Sequence, residues 1–403
     1  MFSCPLWAGG KTWFYDSSLF RLPLYKEDFR IVGKVFKMKY FFLGLIAGML
    51  IGLLPFMKPA GGFVMHPEWH GAVNAPDGIE ASPNSALKAE FLPPIETAEA
   101  VYRINAAGTL SAKFITGERL AAPSGEGGYV ARYDRVGRFV DFYGIGGERF
   151  WKLKSLEYPF LSHNSKLILL LNGDQSRIRL VDFHGALTGV KSISGRFCTI
   201  IAFAKGTDHG AAGFLDGSYY LLDGTGALII KGNAPEGNLI KGLAVSPGGE
   251  YLAVHYGGSG KDRIRLCRVK SGSLDGSFEE LALASVHLSR IPMAVNSRGD
   301  MAFLELNRFV VTDRDCDTDL DLRVPERRAG HAAIDYRNGL YAVAYSREKG
   351  GAQFFLLKKS GQVLFSRTIM EEPFLDCALG ERYLMLRGAQ NLYCYSYRDP
   401  AIQ

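Results

Sequence analysis

Few residues in this 403-residue chain stand at spacings that do chemistry by themselves. His66-Pro67-Glu68-Trp69-His70 offers two imidazoles and a carboxylate, the donor types of a zinc site. Pro67 argues against the helical His-Glu-x-x-His arrangement of zinc proteases, so the cluster reads as part of a linker and no metal is expected. Asp313, Asp315, Asp317, Asp319 and Asp321 alternate, and an extended chain would place all five carboxylates on one side, where mutual repulsion favours a cation. A calcium loop of the Asp-x-Asp-x-Asp-Gly kind needs glycine at its sharp turn, however, and Thr318 stands there. A solvated acidic turn is the expectation.

The motifs of common catalysts are missing: there is no Gly-x-Ser-x-Gly elbow, no Gly-x-Gly-x-x-Gly fingerprint and no Cys-x-x-Cys pair. Gly10-Lys11-Thr12 has the ending of a phosphate loop, but Pro5 occupies the place of its first glycine. No catalytic residue and no cofactor are expected. Six cysteines are too few for a disulfide scaffold. Cys198 reads as core, Cys377 and Cys394 read as unbridged because a strand separates them, and Cys267 and Cys316 are left open.

Stepping outward to the elements that carry these residues, Tyr40 to Met57 is an uncharged, largely apolar run, long enough as a helix to nearly cross a hydrocarbon core. Seven basic side chains against three acidic ones precede or flank it within residues 1–57. By the positive-inside rule, the N-terminus stays cytoplasmic and the rest of the chain is extracytoplasmic, on an inner-membrane, single-pass anchor. A cleaved signal peptide is the competing reading, and Met38 is an alternative start. Gly44, Gly48 and Gly52 fall four apart, a spacing suited to close helix–helix self-association. Residues 58–98 hold six of the seventeen prolines and read as a stalk. The expected organisation is a basic leader at 1–39, the span at 40–57, the stalk at 58–98 and one all-β domain at 99–403.

From residue 99 onward, apolar runs of five to eight residues alternate with Gly, Asp, Asn or Ser turns. Aligned, they form a four-strand unit, clearest in Cys198 to Lys231, with the strands A, B, C and D and an Asp223-Gly-Thr-Gly226 turn before D. Unit starts near 119, 159, 198, 240, 291, 330 and 374 are spaced as four-stranded propeller blades are. Seven starts imply a seven-bladed β-propeller of four-stranded antiparallel blades. The last unit is one strand short, and an unassigned strand at Leu110 to Thr116 is expected to complete it and remove the open edges. Val101 to Asn105 would add a further edge pairing.

Ser246-Pro-Gly-Gly-Glu250 before Tyr251-Leu-Ala-Val, and Asn296-Ser-Arg-Gly-Asp300 before Met301-Ala-Phe-Leu, resemble the A–B hairpins of WD40-like and YVTN-type β-propellers. No Trp-Asp dipeptide occurs, and Trp151 is the only tryptophan beyond residue 100, unlike WD40 proteins proper or quinoprotein propellers. The resemblance implies a binding or scaffolding ring.

In such a ring the D–A and B–C loops share one face, here expected to carry Arg119, Arg196, Lys241, Arg290 and His331 around a basic funnel. The A–B and C–D loops share the other, with Asp182, Asp208, Asp223, Glu250 and Asp300. The expected function is a membrane-anchored platform that binds a protein or another anionic partner at the funnel. The alternative is a propeller hydrolase or lyase acting on an anionic sugar or lactone. Modest net charge and an extracytoplasmic address make nucleic acid an unexpected partner.

Overall fold

The computed structural model describes residues 63–258, 260–270, 273–324, 327–348, 350–369 and 374–398. The leader, the span at 40–57 and Gly44, Gly48 and Gly52 lie outside these residues. No helix among the described residues is long and apolar enough to cross a membrane.

The repeat folds as its turns dictate. The blades are numbered along the chain as 1 (95–115), 2 (120–154), 3 (158–194), 4 (198–233), 5 (239–282), 6 (293–323), 7 (327–369) and 8 (374–398 with 64–72). In blade 4, Cys198–Phe203, Gly210–Phe214, Ser218–Leu222 and Leu228–Asn233 pair in sequence order as an antiparallel sheet. Its C–D turn is closed by Asp223, whose Oδ1 accepts the backbone N–H groups of Thr225 and Ala227, while Gly226 takes the left-handed φ of 76° that the turn requires. Asp182 and Asp313 build the same five-residue turn in blades 3 and 6. In blade 6, Cys316 adopts the left-handed φ of 63° at the position glycine holds elsewhere. The A–B hairpins share a second device, in which Ser124, Ser162 or Ser246 accepts the N–H of the residue five positions on through its hydroxyl. Asn296 does equivalent work with its amide, bonding Asp300 through both backbone and side chain.

Burial follows position in the blade. The B strands Leu167–Leu171, Gly210–Phe214 and Met301–Glu305 are buried at every residue, because both their faces meet neighbouring sheets. The outermost strands Arg149–Lys154 and Thr318–Arg323 alternate between exposed and half-buried positions, with one face in water. All eight pairings to an outermost strand contain a bulge or register shift, which twists the exposed edge away from further pairing.

The count and the closure differ from the sequence expectation. Eight sheets are present among the described residues, not seven. Leu110–Ile115 does not complete the last blade; it pairs with Ala100–Ile104, which pairs with Ile95–Glu96, in a three-stranded blade 1. The last blade, Phe374–Leu379, Tyr383–Gly388 and Asn391–Arg398, is completed instead by Val64–Ala72. An N-terminal strand therefore closes the ring, as expected in kind, but it comes from the segment read as a stalk. Pro67 is tolerated because that strand is an edge and a register shift falls between Pro67 and Trp69.

Each interface between neighbouring sheets has its own apolar layer. Trp69, Leu92, Ile95, Tyr102, Met385 and Cys394 join blade 8 to blade 1, and Val101, Phe114, Val130 and Tyr143 join blade 1 to blade 2. Similar layers continue from blade 2 round to blade 8 and complete the circle. Trp69 is only 8% exposed, and its indole N–H donates to the Ala106 carbonyl at 2.9 Å. Cys198, Cys267, Cys316, Cys377 and Cys394 are buried free thiols, and Cys198 lies in the layer between blades 3 and 4.

Candidate functional site: the funnel face

The D–A and B–C loops gather on one face, and the five residues expected there meet different fates. Arg119 is a structural arginine. It forms ion pairs with Asp134 at 2.6 Å and with buried Asp141, and donates to the Phe139 carbonyl at 2.9 Å. Lys241 is also spent: its ammonium holds Asp262 at 2.8 and 3.0 Å and the His287 carbonyl at 2.6 Å. Asp262 lies opposite His255 Nε2 at 2.9 Å and accepts the His287 N–H at 3.1 Å. His287 and Ser285 in turn meet Glu305 on blade 6. Burial pushes the His255 imidazole down to about 4 against the opposing pull of Asp262, so this ring is neutral and donates Nε2–H to the carboxylate. Asp262 would be raised by its own burial, but the bonds from Lys241 and His255 leave it below the usual carboxylate range. This network ties the B–C loop of blade 5 to the connection into blade 6.

Arg290 and Arg196 remain available. Arg290 has no hydrogen-bond or ion-pair partner among the described residues and lines a cavity of about 630 Å³ at the ring axis. Arg196 is exposed; its backbone N–H donates to Asp216, and beside it runs a shallow groove that also includes Arg177. The His331 side chain lies outside what the structure describes, although its backbone belongs to strand Arg327–Arg337.

The axial cavity is lined from inner strands of several blades, by Ile200, Leu243, Met293 and Ile334 among others, but most of the surface it exposes is polar. Asp376 and Arg387 add charge, and Arg387 donates to the Glu96 carbonyl at 3.2 Å. Asp376 is exposed to this space, yet the protein packed around it partly desolvates its carboxyl and raises it above its ordinary range, partly offset by Lys205. A narrower space of about 150 Å³ shares Leu243, Met293 and Ile334 and reaches Lys205 and Asp335, paired at 2.6 Å. Of these axial residues, Arg290 was expected here, whereas Asp335 and Asp376, from blades 7 and 8, were not singled out by sequence reasoning. The available signal was an acid interrupting an apolar inner strand: Asp335 after Ala332-Ala-Ile, and Asp376 after Phe374-Leu.

The funnel face also carries exposed apolar side chains in couples, one from a D–A connection and one from a B–C turn. Leu156 sits by Val136, and Phe197 by Leu215, whose N–H donates to the Phe197 carbonyl at 2.9 Å. Val286 and Leu288 protrude from the connection that carries Arg290.

No family model matches the sequence, and no curated protein matches it. Among solved structures, the Dos1 propeller superposes with a TM-score of 0.54 at 11% identity, over 82% of this chain and 95% of that one. The chain folds as a β-propeller. BamB from Moraxella catarrhalis aligns at 12% identity with a TM-score of 0.47, over 76% of this chain and 96% of that one. A chain of a mitotic checkpoint complex gives 12% and 0.46, over 70% and 87%. At these identities the likeness concerns fold alone.

The opposite face of the propeller owes much of its acidity to turn construction. Asp182, Asp223 and Asp313 are turn acceptors, Glu250 bonds Ser246 at 2.9 Å, and Asp208 is buried against Ser162 at 2.7 Å. The aspartate alternation is divided as well. Asp313 to Asp317 turn instead of extending, Asp319 and Asp300 share Lys359 at 2.8 Å each, and Asp321 pairs with Arg308. Of the His66–His70 cluster, Glu68 is held by Ser82 and Asn84 and His70 stacks on Tyr393, so its donors do not converge.

Proposed function

We propose that this β-propeller is a binding platform whose funnel face takes a protein partner bearing acidic groups. The observation that carries the reading is Arg290, an unpaired guanidinium lining the axial cavity, with Val286 and Leu288 exposed on the same loop. Arginine is enriched at interface hot spots, exposed apolar side chains add contact area to be buried, and an anionic partner would supply the counter-charge that Arg290 and Arg196 lack. Affinity capture with the intact chain tests this against Arg196→Glu/Arg290→Glu. Loss of the co-purifying partner on charge reversal is expected, and an unchanged set of partners would defeat the reading.

The platform is further proposed to be membrane-anchored through 40–57, with the ring extracytoplasmic, on the strength of the uncharged run and the basic excess around it. A C-terminal reporter active only outside the cytoplasm would agree; one active only inside would not. The hydrolase or lyase reading finds its one support in Asp376, a carboxyl of raised pKa on the cavity wall, suited to general-acid work. Turnover of an anionic sugar or lactone that Asp376→Asn abolishes would favour it over the platform.

A further inference from the structure

A second large cavity, of about 780 Å³, lies on the opposite face where strand Val64–Ala72 closes the ring. That strand contributes His66, which faces Ser396 across the ladder. The A–B hairpins of blades 7 and 8 contribute Asn338 and Arg382, and the end of strand Asn391–Arg398 contributes Arg398. Donors prevail here. Neither guanidinium nor the Asn338 amide has a side-chain partner among the described residues, while the His66 imidazole lies in the field of the Glu68 carboxylate. The one carboxylate on the wall, Glu381, is engaged by Arg337 at 3.1 Å.

Two exposed guanidiniums with no ion pair among the described residues line the same space, and their planar forks bind phosphate oxygens in bidentate fashion. A phosphate monoester carries between about one and a half and two negative charges at neutral pH, close to what Arg382 and Arg398 present. The volume falls in the usual ligand range of roughly 300–1,000 Å³, far more than a bare anion needs. The rest of the wall mixes Asn84 and Ser396 with exposed Val64 and Ala86, and Leu87 and Tyr397 are buried behind it.

We propose that this closure pocket binds a phosphate monoester, with Arg382 and Arg398 on the phosphate, His66 and Asn338 completing its hydrogen bonds, and Val64 and Ala86 against the organic body. The same chemistry is offered by a soluble phosphorylated metabolite and by a phosphatidate headgroup.

Titration calorimetry of the full chain with phenyl phosphate and with inorganic phosphate tests the site, using Arg382→Ala/Arg398→Ala and, as a control on the other face, Arg196→Ala. Both pocket arginines are exposed, so the double variant is expected to melt with the parent, and a melting curve verifies that. Saturable phenyl phosphate binding is expected, tighter than inorganic phosphate, weakened about 100-fold in the double variant and unchanged in the control. Flotation with phosphatidylcholine vesicles, with and without phosphatidate, separates the sources. Phosphatidate-dependent flotation lost in the double variant assigns a lipid headgroup; calorimetric binding without flotation assigns a soluble ligand. No saturable binding of phenyl phosphate, or equal binding by the double variant, overturns the proposal.

Discussion

Replacing Trp69 with alanine separates a stalk from a ring closure. If residues 58–98 were a solvated linker, the change would fall within the roughly 0.5 kcal/mol typical of surface sites. In the structure, Trp69 is buried between blades 8 and 1 among Leu92, Tyr102, Met385 and Cys394. Truncating a buried tryptophan costs about 3–5 kcal/mol through lost burial and the cavity left behind. The Ala106 carbonyl also loses its indole donor. At about 2.1 cal/mol/K of unfolding entropy per residue, a ring of about 340 residues has roughly 0.7 kcal/mol/K, so Tm should fall by about 4–7 °C. Calorimetry or intrinsic fluorescence on the intact chain reads this directly. Trp69→Phe, which keeps most of the burial and loses only the hydrogen bond, should lower Tm by no more than about 3 °C. A shift below 1 °C for Trp69→Ala would refute the closure.

The funnel arginines should divide by mutation. Arg119→Ala strands buried Asp141 and should destabilise by about 2–4 kcal/mol in urea unfolding, whereas Arg290→Ala and Arg196→Ala should stay within about 0.5 kcal/mol. Asp262→Ala leaves Lys241 and His255 without their shared acceptor and should cost about 3–5 kcal/mol by the same measurement. His255 confers a pH dependence whose sign follows from its lowered pKa. The unfolded imidazole binds a proton below about pH 6.5 and the folded one only near 4, so the contribution is complete above 6.5 and is lost as pH falls toward 4. Its full size is about 3 kcal/mol, and His255→Leu should flatten that segment of the stability-versus-pH curve relative to the parent.

What was legible in the chain was local. Strands A to D of blades 3 and 4 and A to C of blades 5 and 6 announce themselves because their hairpins carry turn chemistry: Asp182 and Asp223 with a glycine three residues on, and Ser246 and Asn296 ahead of a left-handed glycine. Blade 1 carries the turn device too, with Asn105 accepting the Thr109 N–H and Gly108 at a left-handed φ of 86°, but not every strand in it is full length. Its first strand, Ile95–Glu96, is two residues long, and its outer strand, Leu110–Ile115, was free to be assigned to either neighbour. The candidate site divided in the same way. Position in the repeat placed Arg119, Lys241 and Arg290 together on one face, but whether each cation is free depends on acids such as Asp141 and Asp262, and that pairing is a matter of distance in the folded sheet.

The sequence by itself therefore determined the kind of unit, its turns and the face on which each loop emerges, because hairpins bond residues only a few positions apart. The tertiary structure decided how many blades the ring holds, which strand closes it and which groups meet at the axis. Closure pairs Val64 with Arg398 from opposite ends of the ring. Nothing local to either strand specifies that partner; it is chosen because it buries Trp69, covers the open edge of the last blade and completes the apolar layer between first blade and last.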